Sequence, residues 1–209
     1  MKKFFSILIV SLLTIGAISA QSSSVAMAVD VKKNSTLSIN GTTNVVNFKL
    51  TQNSDNFIKK NMIITASQNK NRLYLSETQL AVPVKSFNSS NKMALRDFYK
   101  LMKSEEFPTM NIQLNYSELP ASKASTTGNA VVDVTITGVT KKYSFPVKAV
   151  KNGTNYTFKV MKDINIRDFG LVPPVQMAGL LKVDDMININ MNMICDIQPV
   201  ETAEAKTGK

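Results

Sequence analysis

Few residues in this chain are equipped for chemistry. Asp168-Phe169-Gly170 spells the metal-binding triplet of protein kinases, yet no glycine-rich phosphate loop and no His-Arg-Asp loop accompanies it. Ser89-Ser90-Asn91-Lys92 fits the S-x-x-K pattern, which sets a serine nucleophile and a lysine on one helical turn, and Lys206-Thr207-Gly208 spells the K-T-G of the same enzymes. That K-T-G copy lies in a segment without strand periodicity, and the chain is small for such a fold. Asp184-Asp185 and Glu105-Glu106 are carboxylate pairs without EF-hand or two-metal spacing. Cys195 stands alone, so no intramolecular disulfide forms, and it reads as a small buried residue rather than a reactive thiol. The chain has no His. This excludes Ser-His-Asp and Cys-His catalysis, His-ligated zinc or haem, and any imidazole proton transfer. No nucleophile has a visible base and orienting partner, and no metal site or catalytic residue is expected.

Residues 1–20 read as a secretory signal peptide: Lys2 and Lys3, an apolar run from Phe4 to Ile18, then Ser19 and Ala20. The run is too short to span a bilayer, and no later stretch approaches that length. Cleavage is expected after Ala20, with Ala26-Met27-Ala28 a second A-x-A site. The mature product is expected to be periplasmic or secreted. Of 209 residues, 25 are Lys or Arg and 15 Asp or Glu, a formal charge of +10 that falls to +8 without Lys2 and Lys3. Such charge attracts nucleic acid, anionic membranes or acidic partners. The Asn- and Lys-rich bias of the chain accounts for it equally, and no nucleic-acid partner is expected.

What must position any site is a set of strands. Residues 21–33 are small, polar and irregular, and are read as a leader; 34–195 as one domain; 196–209, which lack periodicity, as a mobile tail. Period-2 alternation dominates from Asn34 onward. Ile187, Ile189, Met191 and Met193 alternate with three Asn; Val132, Val134 and Ile136 alternate with polar residues, as do Tyr143, Phe145 and Val147, and Tyr156, Phe158 and Val160. Turn signals such as Asn40-Gly41, Gly138 and Asn152-Gly153 separate many runs, and Pro146 suggests an edge or a bulge. Seven or eight antiparallel strands with one polar face make a sandwich or a barrel. One segment, 91–103, has helical period, with Ser90 as its expected cap and Phe107-Pro108 blocking its continuation. Ala94, Leu95, Phe98, Leu101 and Met102 share one arc, and Lys92, Arg96, Lys100 and Lys103 the opposite one. Nine of the eleven Met lie beyond residue 60, a flexible lining that suits a variable apolar ligand as well as ordinary packing.

The ordered landmarks resemble the YceI-like family: Leu37-Ser-Ile-Asn-Gly-Thr-Thr-Asn44, Leu80 to Phe87, the helix with its Phe107-Pro108 exit, Val134-Thr-Ile-Thr-Gly-Val-Thr-Lys141 and Asp168-Phe-Gly-Leu-Val-Pro-Pro174. The resemblance covers about residues 34–194. It implies an all-β fold, a single antiparallel lipocalin-like barrel of about eight strands with the amphipathic helix capping one end. It also implies a polyisoprenoid-type lipid, or a quinone, held inside without catalysis. Phe48, Leu114, Val134, Ile136, Phe145, Phe158, Ile189 and Met191 are then expected to line the interior, Phe98 and Met102 to close one end, and Met177 to sit at a rim beside Pro173-Pro174. Where members with a similar opening carry a His followed by an acid, this chain has Val46-Asn47, so a polar head-group site there differs or is absent. The rival expectation is a ligand-free envelope module, with the four helical cations docking on anionic lipid; a homodimer is also left open.

Overall fold

The structure, a computed structural model, describes residues 24–58, 60–119, 126–176 and 180–200. The expected signal peptide, Met177 and Lys206-Thr207-Gly208 lie outside them.

The alternation becomes twelve strands among the described residues, eight of which close into an antiparallel ring. The ring runs through β1 (Ser24–Val31), β4 (Asn61–Asn69), β5 (Arg72–Ser76), β7 (Thr109–Glu118), β8 (Thr127–Ile136), β9 (Val139–Asn152), β10 (Asn155–Asn165) and β12 (Leu181–Pro199). It closes where Val31 of β1 meets Cys195 of β12, and Met27 meets Pro199. Four strands branch from it: β2 (Thr36–Thr43), β3 (Asn47–Asn53), β6 (Gln79–Pro83) and the two-residue β11 (Val175–Gln176). Turn chemistry sets the hairpins. Thr137-Gly138 joins β8 to β9 with φ of 47° and 80°, the doubly positive pair of a type I′ turn, whose twist matches the flanking strands.

β12, at 19 residues, outlasts any one neighbour. One edge pairs with β10 from Met186 to Asp196. The other pairs with β2 as far as Asn192 and changes to β1 at Cys195. At the change, Ile194 has no strand partner on that edge. Its N–H donates to Ser35 Oγ at 2.8 Å, and its carbonyl accepts from the Lys32 N–H at 2.7 Å. The Ser35 hydroxyl donates in turn to the Lys32 carbonyl at 2.9 Å. β7 divides likewise, between β6 at Thr109–Gln113 and β5 at Tyr116–Glu118, and the Thr78 hydroxyl donates to the Leu114 carbonyl left between them. The barrel therefore has two halves, one walled by β1, β4 and β5, the other by β2, β3 and β6.

In the second half the gap between β3 and β6 is closed by residues 84–90. Thr51 and Asn88 exchange two backbone hydrogen bonds there, each 2.9 Å, and the Ser89 hydroxyl donates to the Lys49 carbonyl at 2.7 Å. The helix, α1 (Lys92–Leu101), follows and covers that end, with Phe98 and Met102 buried and Phe98 edge-on to Phe87 at 5.2 Å. Its cap is Asn91, not Ser90: Asn91 Oδ1 accepts from the Ala94 N–H at 3.0 Å. It ends well before Pro108 because Lys103, at φ 45°, turns the chain, with Lys103 and Ser104 N–H groups donating back to the Lys100 and Tyr99 carbonyls.

The expected boundaries need correcting at both ends. Residues 24–31 are not a leader but the strand that closes the ring. Val25, Met27, Val29 and Val31 do alternate, but of the residues between them Ala26 and Ala28 are too small to mark a polar face, which leaves Asp30 alone. Nor does the tail begin at Asp196. Ile197 continues the inward row of Met193 and Cys195, with Asp196 and Gln198 outward, and the Val200 N–H still bonds the Ala26 carbonyl at 2.9 Å. Pro146 does hold an edge position: the β9–β10 ladder stops at Val147 opposite Val160, one residue before the missing N–H.

Ser35→Ala takes away the side-chain oxygen that accepts from the Ile194 N–H. Urea denaturation should show a loss of about 1–3 kcal/mol, the cost of stranding a buried polar group, whereas an unchanged midpoint would show that the branch does not need this hydroxyl.

Candidate functional site

The interior is hollow. Under α1, in the half walled by β2, β3 and β6, lies a cavity of about 220 Å³; in the half walled by β1, β4 and β5 lies another of about 320 Å³. Leu37, Ile112, Phe145 and Ile189 line both and form a waist between them. Val183 and Ile197, near opposite ends of β12, line the first and second cavities in turn. At about 3.3 Å per residue they stand roughly 45 Å apart along the strand. The walls are aliphatic and aromatic. Polar exceptions are Thr43, Asn91 and Asp97 in the first cavity, and Gln68, Thr78 and Ser117 in the second.

Ten of the residues expected inside stand on these walls. Phe48, Phe98, Met102, Val134 and Ile136 line the cavity under the helix; Leu114, Phe158 and Met191 line the other; Phe145 and Ile189 stand at the waist. Met177, the remaining one, is outside the described residues. Sequence reasoning missed the second cavity's contribution from β1 and β4 (Met27, Val29, Ile64 and Ala66), because the first of those strands was read as a leader. It also missed Ile166 and Leu171, which reach the first cavity from the turn Ile166–Phe169 and its exit. Ile166 keeps the parity of Ile164 but lies past the end of β10, and Leu171 lies in no alternating run, so topology brings them in.

Phe48 owes its place to a glycine. Gly41 faces it across β2 and β3, and a Cβ on Gly41 would sit 2.2 Å from the Phe48 ring. Gln52, next but one to Leu50 on the same strand, is fully buried, and neither end of its amide has a hydrogen-bond partner among the described residues. Asp97 is buried on the apolar side of α1, 3.8 Å from the Arg96 guanidinium. Periodicity does not announce either one.

A YceI-like domain model matches residues 17–194. The chain belongs to the YceI-like family. Solved structures share the barrel: BcnA of Burkholderia cenocepacia is 17% identical, with 77% of this chain and 95% of that one covered and a TM-score of 0.57. A polyisoprenoid binding domain from Saccharophagus degradans, implicated in plant cell wall breakdown, is 9% identical, with 83% and 99% covered and a TM-score of 0.54. No curated protein matches the chain.

Within this YceI-like barrel the reactive-looking motifs have structural jobs. Asp168-Phe169-Gly170 ends a single 3-10 turn that fills the seam where β9 and β10 part. Asp168 accepts from the Tyr143 hydroxyl at 2.8 Å, Phe169 is buried, and Gly170, at φ 71°, ends the turn. Burial pushes the Tyr143 phenol pKa upward, and the Asp168 carboxylate pushes it further. Ser89 spends its hydroxyl on Lys49 and on the Asn91 N–H. Ser54-Asp55-Asn56 supplies the S-D-N letters of the same enzyme set, but ahead of the Ser-Lys pair, and the buried Ser54 hydroxyl donates to the Lys32 carbonyl at 2.9 Å. Cys195 is buried on the wall of the larger cavity, and burial, aided by the Asp30 charge, pushes its thiol pKa up to about 12. Lys92, Arg96 and Lys100 on α1, and Lys103 in the turn after it, are exposed.

Two outcomes follow. Gly41→Ala should drive the Phe48 ring from its place. Loss of about 1–3 kcal/mol in thermal or urea unfolding is expected, as for overpacking, together with a changed volume under the helix in a crystal structure of the variant. For Cys195 the native thiol keeps its proton above the pKa of the unfolded one. Its contribution to stability is therefore complete below about pH 8.5 and is lost as the pH rises toward about 12. Native protein at pH 8 should resist a thiol reagent that labels the urea-unfolded chain fully; equal labelling rates would contradict the buried placement.

Proposed function

We propose that this protein is an exported, non-catalytic carrier that holds one long apolar lipid of isoprenoid type, or a quinone, lengthwise through both cavities. The observation that carries the reading is the continuous apolar lining across the waist at Leu37, Ile112, Phe145 and Ile189, which offers an extended hydrocarbon contact on every side. Burial stabilises such a chain by roughly 0.8 kcal/mol per carbon, without proton transfer, metal or charge. Family membership and the barrel shared with a polyisoprenoid binding domain support the same ligand class. Export is inferred from residues 1–20, and a working place in the periplasm or beyond the cell follows from it. A ligand-free module is disfavoured by the hollow interior, since inward residues that filled the barrel would have been its signature.

The test is solvent extraction and mass spectrometry of protein purified from its native host. One long-chain lipid per protein is expected. Ile189→Trp, which places a large ring at the waist, should lower the amount retained severalfold while the protein still unfolds cooperatively. Repeated extraction without stoichiometric lipid, from protein never exposed to detergent, would refute the carrier reading.

A further inference from the structure

The cavity under α1 opens at a mouth built from three turns. Thr43, Val46, Asn91, Met93, Pro174 and Val183 all line it. Two of the turns are tied together: Asn44 Nδ2 donates to the Leu180 carbonyl at 2.8 Å, and the Lys182 N–H donates to Asn44 Oδ1 at 3.0 Å. Out from this mouth project Val45, Val172 and Leu180, exposed to 69%, 67% and 73%, with Met93 and Val175 beside them. Isolated exposed apolar residues are ordinary, but several at the tips of adjoining turns mark a contact surface.

The charges around the mouth have one sign. In the segments 43–46, 90–93, 171–176 and 180–183 the charged residues are Lys92 and Lys182. On the strand beneath, Asp185 is paired with Arg167, and the carboxylate Asp184 accepts from the Thr42 hydroxyl at 3.4 Å. Protruding aliphatic tips with adjacent cations complement the interface of a bilayer that carries anionic lipid, where the tips enter the acyl boundary and the cations are drawn to the headgroups. A flat protein partner would leave such tips only partly covered.

We propose that this rim docks on an anionic phospholipid bilayer, with the mouth facing the membrane so that a lipid passes between the bilayer and the cavity without crossing water. The docking surface is the apolar rim with Lys92 and Lys182, rather than the row of four helical cations. Arg96 in that row is 3.8 Å from Asp97, and Lys100 and Lys103 lie two turns and more beyond Lys92. The proposal builds on the interior being a lipid site, and its test reads membrane association separately from lipid content, so either can fail alone.

The experiment is co-sedimentation of the purified mature chain with phosphatidylcholine vesicles, with and without phosphatidylglycerol. Binding is expected to vesicles containing phosphatidylglycerol. The triple variant Val45→Asp, Val172→Asp, Leu180→Asp changes no residue that lines either cavity, and should reduce the bound fraction at least about tenfold. Its thermal unfolding and extractable lipid should match the unmodified chain. Lys92→Glu with Lys182→Glu should weaken binding, whereas Lys100→Glu with Lys103→Glu should change it less than about twofold. Equal binding by the triple variant, or no binding of the unmodified chain to either vesicle, overturns the proposal. Loss of binding on reversing Lys100 and Lys103 alone moves docking to the helix face and overturns it as well. So does a dimer in sedimentation velocity that the triple variant abolishes while vesicles remain unbound.

Discussion

Everything in this barrel depends on strands that keep two different neighbours along one edge. A backbone edge that changes partners leaves N–H and C=O groups between the two ladders, and such groups are costly when buried. β12 meets the requirement with Ser35 and the Lys32 backbone, which receive the Ile194 amide and carbonyl. β7 meets it with Thr78. Because both branch points are satisfied, the sheet splits into two half-walls of different strands without exposing its hydrogen-bonding edge. The result is a tube longer than either set of short strands could enclose.

Such a tube stays hollow only if its inward side chains cannot reach across it. The lining is dominated by Leu, Ile, Val and Met, with aromatic rings at a few positions held by close contacts: Phe48 over Gly41, Phe145 stacked with Tyr143 at 5.8 Å, and Phe98 against Phe87. Phe145 stands at the waist and narrows the tube. The seam between β9 and β10, open because Pro146 cannot donate, is filled by Phe169 and fixed by the Tyr143–Asp168 hydrogen bond. Each contact serves the wall, and the space inside is what remains.

Much of this could be read from residue order. Alternation at Ile187 to Met193 and Val132 to Ile136 requires strands with one apolar face; eight of the ten interior residues sit at the apolar parity of their strands, Phe98 and Met102 follow from the helical period, and the barrel they face came with the family resemblance. Where reading failed, the reason was side-chain size or distance. Val25, Met27, Val29 and Val31 alternate, but Ala26 and Ala28 between them hide most of the contrast that marks a strand. Asp97 occupies an apolar helix face, and Gln52 an apolar strand row, against their residue types. Asp168-Phe169-Gly170, set aside in the sequence for want of any accompanying kinase motif, closes a 3-10 turn.

The sequence by itself determined the all-β class, part of the inward-facing set and the exclusion of imidazole chemistry, because period, parity and composition are local properties of the chain. Tertiary structure alone decided that β12 and β7 each divide between two neighbours, that the cavities meet at one waist, and that Val45, Val172 and Leu180 gather at one mouth. Those facts depend on which strands pair across long stretches of chain, through backbone hydrogen bonds that are the same for every residue type and so leave no mark in the order of side chains.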